Sequence, residues 1–158
     1  MVQNTDHAFM QKAINLSVEN VKTGGGPFGA VIVKDGQIVG QATNSVTLNN
    51  DPTAHAEVNA IRQACKNLGT FDLSGCTLYT SCEPCPMCLG AIYWARINKV
   101  YFGNTKADAK AIGFDDSFIY DEFEKPIELR YIKFEQLLPD QAIKAFNDWQ
   151  NSDIKREY

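Results

Sequence analysis

The sequence predicts an α/β protein, a three-layer α/β/α sandwich around a mixed sheet of about five strands with helices on both faces. Three observations carry that expectation. Two strand-like segments flank Asp35-Gly36, the turn signal of a hairpin; a strand–helix–strand run occupies residues 76–103; and apolar residues recur at helical spacing before, between and after these segments.

From Asp6 to about Val21, Phe9, Met10, Ala13, Ile14, Leu16, Val18 and Val21 recur near the helical period, and Gly24-Gly25-Gly26-Pro27 stops the pattern. That is a first helix. Phe28–Val33 and Gln37–Thr43 are strands of one hairpin. Asp51-Pro52-Thr53 starts a second helix, running from His55 to about Leu68, and Gly69 ends it at a typical C-terminal position. Cys76–Ser81 reads as a strand, Pro84 suits the first turn of a helix reaching about Arg96, and Lys99–Gly103 is a further strand. Strand, helix, strand implies a parallel crossover. Beyond Thr105 the sequence suggests a short helix at Ala107–Ala111, another at Ser117–Glu124, a strand at Arg130–Phe134 and a helix at Asp140–Gln150.

A chain of 158 residues, 44% of them hydrophobic, can build one ordinary core, so residues 1–158 are read as a single domain. The net charge of -4, with basic residues scattered along the chain, leaves no footprint for a phosphate backbone. A small or neutral partner fits better than nucleic acid. Five cysteines are an odd number, and the first thirty residues lack the basic-then-apolar pattern of a secretory signal, so a reducing, cytoplasmic setting is expected. No apolar run approaches the roughly 20 residues that span a bilayer.

The chemistry is concentrated in His55-Ala-Glu57 and Pro84-Cys85-Pro-Met-Cys88. His55, Cys85 and Cys88 offer one imidazole and two thiolates, the ligand set of a tetrahedral Zn2+ with its fourth position open to water. Residues i and i+2 of a helix do not share a face, so Glu57 need not compete for the metal and can carry protons beside it. Cys85 and Cys88 are three apart at a helix start, where the helix dipole and the metal both favour thiolates. Other readings stay open. Cys82 could join His55, Cys85 and Cys88 in a closed structural site, which would leave Glu57 without a task, and a redox Cys85/Cys88 pair would leave His-Ala-Glu unexplained. Cys65 and Cys76 read as core residues and His7 as an exposed residue of the first turn.

H-x-E followed by P-C-x-x-C is the signature of the zinc nucleobase deaminases. Gly26-Pro-Phe-Gly-Ala-Val31, Asn50–Glu57, Thr80–Arg96, Gly113-Phe-Asp-Asp-Ser-Phe-Ile-Tyr120 and the terminal Lys155-Arg-Glu-Tyr158 together resemble the small guanine deaminases of the cytidine deaminase superfamily. The resemblance implies one Zn2+ per subunit and hydrolysis of guanine to xanthine and ammonia. Water activated at the metal would attack the carbon bearing the exocyclic amine, and Glu57 would protonate the ring nitrogen and then the departing amine.

The same resemblance implies a substrate set. Asn44 would hydrogen-bond the purine, Phe28 and Trp94 would wall its ring, Ala56 would contact it within the histidine motif, and Asp116 would help to distinguish guanine. It further implies a homodimer that exchanges C-terminal segments, residues 151–158 closing an active site with Tyr158 as a lid over the partner's site. Without the family, Phe28 and Trp94 read equally well as core aromatics, Asn44 as a turn residue and Asp115-Asp116 as a helix cap. A tRNA adenosine deaminase shares the Asp51–Glu57 style of motif, but calls for a basic surface that the acidic balance does not suggest. Deaminases of guanosine, cytosine or a related heterocycle remain within reach. So does a non-catalytic zinc-stabilised binding module, which a screen for ammonia release separates from all of these.

Overall fold

Two helix-covered faces of one sheet organise the first part of the chain, as a computed structural model describes it for residues 4–158. Helix α1 (Asn4–Lys22) precedes strands β1 (Gly29–Lys34) and β2 (Gln37–Thr43), joined by Asp35-Gly36. Both turn residues have positive φ, 50° and 76°, which is what a two-residue type I′ hairpin requires. A short helix α2 (Val46–Asn49) follows, then α3 (Ala56–Leu68), β3 (Thr77–Cys82), α4 (Pro86–Trp94), β4 (Lys99–Asn104) and α5 (Lys106–Ala111). Gly69 ends α3 in the left-handed conformation, φ 65°.

The sheet has four strands in the order β2-β1-β3-β4, with β1 antiparallel to both neighbours and β3 parallel to β4. The crossover through α4 is therefore the parallel unit that the sequence implies. Side chains alternate across the sheet. Ala30, Ile32 and Leu78 bury themselves with Ala56, Ala60 and Ala64 of α3 and Ile92 of α4, while Val31, Val33 and Tyr79 face Ala13, Phe9 and Leu16 of α1. The small residues of α3 recur every fourth position, so the helix lies close to the sheet. A Cβ on Gly40 of β2 would fall 2.5 Å from the Ala60 carbonyl oxygen. On the other face, the Tyr79 and Tyr101 hydroxyls donate to Asp6 at 2.5 and 3.2 Å, tying the first turn of α1 to β3 and β4.

The outer edge of β2 is engaged. Register slips at Val39, which has no partner on β1. Asn67 Nδ2 donates to the Val39 carbonyl at 2.9 Å, and the Gln41 N–H donates to Gln63 Oε1 at 2.6 Å.

Residues up to Asp116 form one compact unit and Ser117–Tyr158 a second. The second contains α6 (Ser117–Glu124), a 3-10 turn at Ile127–Leu129 and α7 (Pro139–Gln150). None of its residues is buried. Tyr131 and Leu137 are 88% and 82% exposed. The strand expected at Arg130–Phe134 does not form, because a β-strand needs a neighbour to take its backbone hydrogen bonds; the sheet has four strands, not five. Pro84 lies before α4, and Pro86 takes the first helical position instead; the helix ends at Trp94 because Arg96 has φ 59°. Among the described residues, no helix is long and apolar enough to cross a membrane.

Candidate active site

Two helix starts place the three metal-binding side chains together. His55 is the N-cap of α3 and Cys85 the N-cap of α4, both in extended conformation and neither spending its side chain on a cap hydrogen bond. Cys88 follows one turn into α4, fully buried. His55 Nδ1 lies 3.5 Å from Cys85 Sγ and 3.5 Å from Cys88 Sγ. Zinc bonds of about 2.3 Å to sulfur and 2.0–2.1 Å to nitrogen, set at the tetrahedral angle, require a sulfur–nitrogen separation of about 3.5 Å. The donor set fits Zn2+ in both chemistry and spacing.

Cys82 does not join them. Its thiol points to the Thr105 carbonyl oxygen at 3.8 Å, and burial pushes it up to about 11, so it stays a neutral S–H. The closed four-ligand site weighed from the sequence is not formed, since the metal-binding cluster consists of His55, Cys85 and Cys88. Within it, the hydrogen bond from Cys88 is the main influence holding Cys85 down to about 4, with His55 helping and burial opposing. Cys88 is raised because it donates to Cys85 and is buried, and His55 is raised by its hydrogen bond to Cys85. Zinc takes both cysteines as thiolates and the imidazole neutral, so loading the metal displaces protons.

Glu57 stands in the first turn of α3, 5% exposed. Thr80 donates to its Oε1 at 2.9 Å, and the Cys88 thiol lies 3.4 Å from its Oε2. Burial raises its carboxyl, the hydrogen bonds counteracting in part. A carboxylate held dry beside the metal ligands is suited to accept and return a proton.

A cavity of about 420 Å³ opens over His55, Glu57 and Cys85. Its size and its mix of apolar walls with few polar groups suit a small flat ligand. Phe28 and Phe114 both line it, packed edge to face with ring centroids 5.0 Å apart. Buried Asn44 lines it as well. Its Oδ1 accepts from the Val46 N–H at 3.2 Å, which leaves the Nδ2 group as the side chain's donor, and its backbone oxygen accepts from Asn20 at 2.7 Å. A Cβ on Gly26 would fall 3.0 Å from Asn44 Oδ1, so the glycine leaves room for that side chain. Asp116 lines the cavity too; burial, then the charge of Cys85, raise its carboxyl.

The sequence-predicted residues separate here. His55, Glu57, Cys85, Phe28, Asn44 and Asp116 line one cavity, with Cys88 beside it. Trp94 does not line it: as the last residue of α4 it is 70% exposed, and α4 aims its N-terminus, not this end, at the metal ligands. Ala56 buries its side chain in the core under α3. Tyr158 is an exposed residue of the second unit. His7 is exposed, Cys76 is buried in the core and Cys65 packs partly buried against it. Sequence reasoning missed Phe114, Thr47 and Thr80. Phe114 stood inside a block already singled out, and strand alternation could have turned Thr80 toward α3.

Residues 3–104 match the family of the cytidine and deoxycytidylate deaminase zinc-binding region. The guanine deaminase of Bacillus subtilis (strain 168) is 56% identical over 151 residues, 95% of this chain and 97% of that protein. An X-ray structure of guanine deaminase from Bacillus subtilis superposes with a TM-score of 0.94 at 54% identity, covering 99% of each chain. The tRNA-specific adenosine deaminase of Aquifex aeolicus is 47% identical over 94 residues, 60% of this chain and 62% of its own length.

Proposed function

The chain belongs to the zinc-binding deaminase family, and on that premise we propose that it hydrolyses guanine to xanthine and ammonia. The observation that carries the reading is identity to a guanine deaminase across nearly the whole chain, including the second unit, whereas the similarity to the tRNA adenosine deaminase spans 94 residues. The acidic balance of the chain supports a small base over an RNA.

His55, Cys85 and Cys88 hold the metal. Bound there, Zn2+ would be a Lewis acid that can lower the pKa of its water to about 7. Glu57 would take the proton that water gives up and pass it to the ring nitrogen beside the reacting carbon; it would then take the proton of the added hydroxyl and give it to the amine, which leaves as ammonia as the carbonyl forms. Phe28 and Phe114 supply flat apolar contact for the purine, and Asn44 Nδ2 donates to an acceptor on its edge. Asp116 accepts from a guanine N–H. Its place in the cavity lining, within reach of Cys85's charge, supports a role in choosing the base.

The second unit is read as an exchanged segment. A stretch that buries none of its own residues, yet exposes Tyr131, Leu137, Phe146 and Ile154, is suited to lie on a second copy of the chain. In that homodimer Tyr158 closes the partner's site. Five free cysteines, with zinc ligands among them, suit a reducing cytoplasmic compartment.

Ammonia release from guanine, guanosine, adenine, adenosine and cytosine tests the activity. Guanine is expected to be the preferred substrate by at least tenfold in kcat/KM. Preference for any other base, or no release from a zinc-loaded protein, overturns the reading.

A further inference from the structure

We propose that Thr80 is a positioning residue for Glu57, fixing which carboxylate oxygen faces the reacting centre. The proposal rests on the reading of Glu57 as proton carrier.

Thr80 is fully buried, in register with Ala30 on β1 and Phe102 on β4. Along β3 the odd-numbered residues turn to the α1 side, where Tyr79 joins that helix's core and Ser81 Oγ accepts from the Gly29 N–H at 3.0 Å. Leu78, Thr80 and Cys82 turn to the α3 side, so Thr80 is the hydroxyl of β3 on that face. It donates to Glu57 Oε1 at 2.9 Å, across 23 residues of sequence.

The two oxygens of Glu57 therefore have different surroundings. Oε1 is pinned on the sheet side, while Oε2 faces Cys88 at 3.4 Å, the side of the metal ligands. Cys88 ceases to donate once it is a thiolate ligand. Among the described residues Thr80 is then the remaining side-chain donor to this carboxylate, beside the backbone N–H of Glu57 itself. Without it the carboxylate can rotate about its terminal bond, and Oε2 loses its fixed aim. Proton transfer is sensitive to such displacement, a shift of about 1 Å being able to cost about 100-fold. Thr80 is not among the residues that line the cavity, so substrate binding has no direct dependence on it.

The geometry sets apart two nearly isosteric changes. Thr80→Val keeps the shape and removes the donor; Thr80→Ser keeps the donor and removes a methyl. Measured on guanine with zinc content and thermal unfolding alongside, Thr80→Val is expected to hold one zinc per chain, keep KM within about twofold and lose about 10- to 100-fold in kcat. Thr80→Ser recovers most of that turnover. Equal kcat in Thr80→Val and the parent overturns the assignment, as does an equal loss in both variants, zinc loss in Thr80→Val, or failure of Thr80→Val to fold where Thr80→Ser folds. Glu57→Gln is the control that separates the two claims: if it stays active, the reading of the site fails, and if it is inactive while Thr80→Val matches the parent, only the role of Thr80 fails.

Discussion

Residues 4–116 and residues 117–158 differ in what holds them. The first region buries Ile32, Leu73, Leu78 and Val31 completely and stands on two cores, one on each face of its sheet. The second has three helical segments and no buried residue at all. Ordering a chain costs about 1–2 kcal/mol per residue in backbone entropy, and burial of apolar surface is the main term that offsets it. The first region meets the cost internally; the second buries none of its own residues, and the proposed exchange between subunits would supply that burial. Chemistry follows the same division, since every metal ligand and every cavity-lining residue lies before Ser117.

The sharpest test of that division is Glu57→Gln. Turnover should fall by about 10²–10⁴-fold with zinc retained, read by ammonia release and metal analysis. His55→Ala or Cys85→Ala should lose metal and activity together. Zinc loss from Glu57→Gln would make the carboxylate a ligand and erase the contrast between holding and reacting. Next in size is removal of Ile154–Tyr158, expected to weaken kcat/KM about tenfold or more while leaving zinc in place. Unchanged kinetics break the reading in which the second region serves a site it does not contain.

Stability sharpens the comparison further. Leu78→Ala, in the first region's core, should cost about 2–5 kcal/mol in unfolding free energy. Leu137→Ala, 82% exposed in the single chain, should leave subunit unfolding nearly unchanged and loosen self-association in sedimentation. An equal cost for both would mean that the second region has a core of its own. The smallest effect concerns Cys82. Its ordinary value of 9.0 rises to about 11 on folding, so the unfolded chain releases that proton first. Stability present below pH 9 therefore declines as pH rises toward 11. Cys82→Ala should flatten that slope in pH-dependent melts while keeping zinc and most activity.

Legibility in the sequence followed how local the determining physics was. Asp35-Gly36 announced its hairpin because both residues tolerate positive φ, and Gly69 announced the end of α3 for the same reason. His55, Glu57, Cys85 and Cys88 were readable because residue type and short spacing at two helix starts are local, although only the fold brings the two starts together. The run Tyr131-Ile132-Lys133-Phe134 had strand composition, yet strand formation depends on a neighbour that no local pattern reveals. Trp94 and Phe114 show the same limit within the site. Both are aromatic and near the motifs, but only the fold decides that Phe114 meets Phe28 at the cavity and that Trp94 ends a helix elsewhere. Thr80 acts across the sheet, from one strand to a helix 23 residues earlier, and such pairings belong to topology.

Asn67 and Gln63, one helical turn apart on α3, hold the Val39 carbonyl and the Gln41 N–H. These are backbone groups that a border strand would otherwise show to any passing chain. With them taken and the register broken at Val39, β2 offers a poor template for a foreign strand. Growth of this sheet by backbone zippering, the route to fibrous aggregates, is thereby discouraged on that side. Copies that meet on that side are left to do so through their side chains, where shape and charge can tell one neighbour from another.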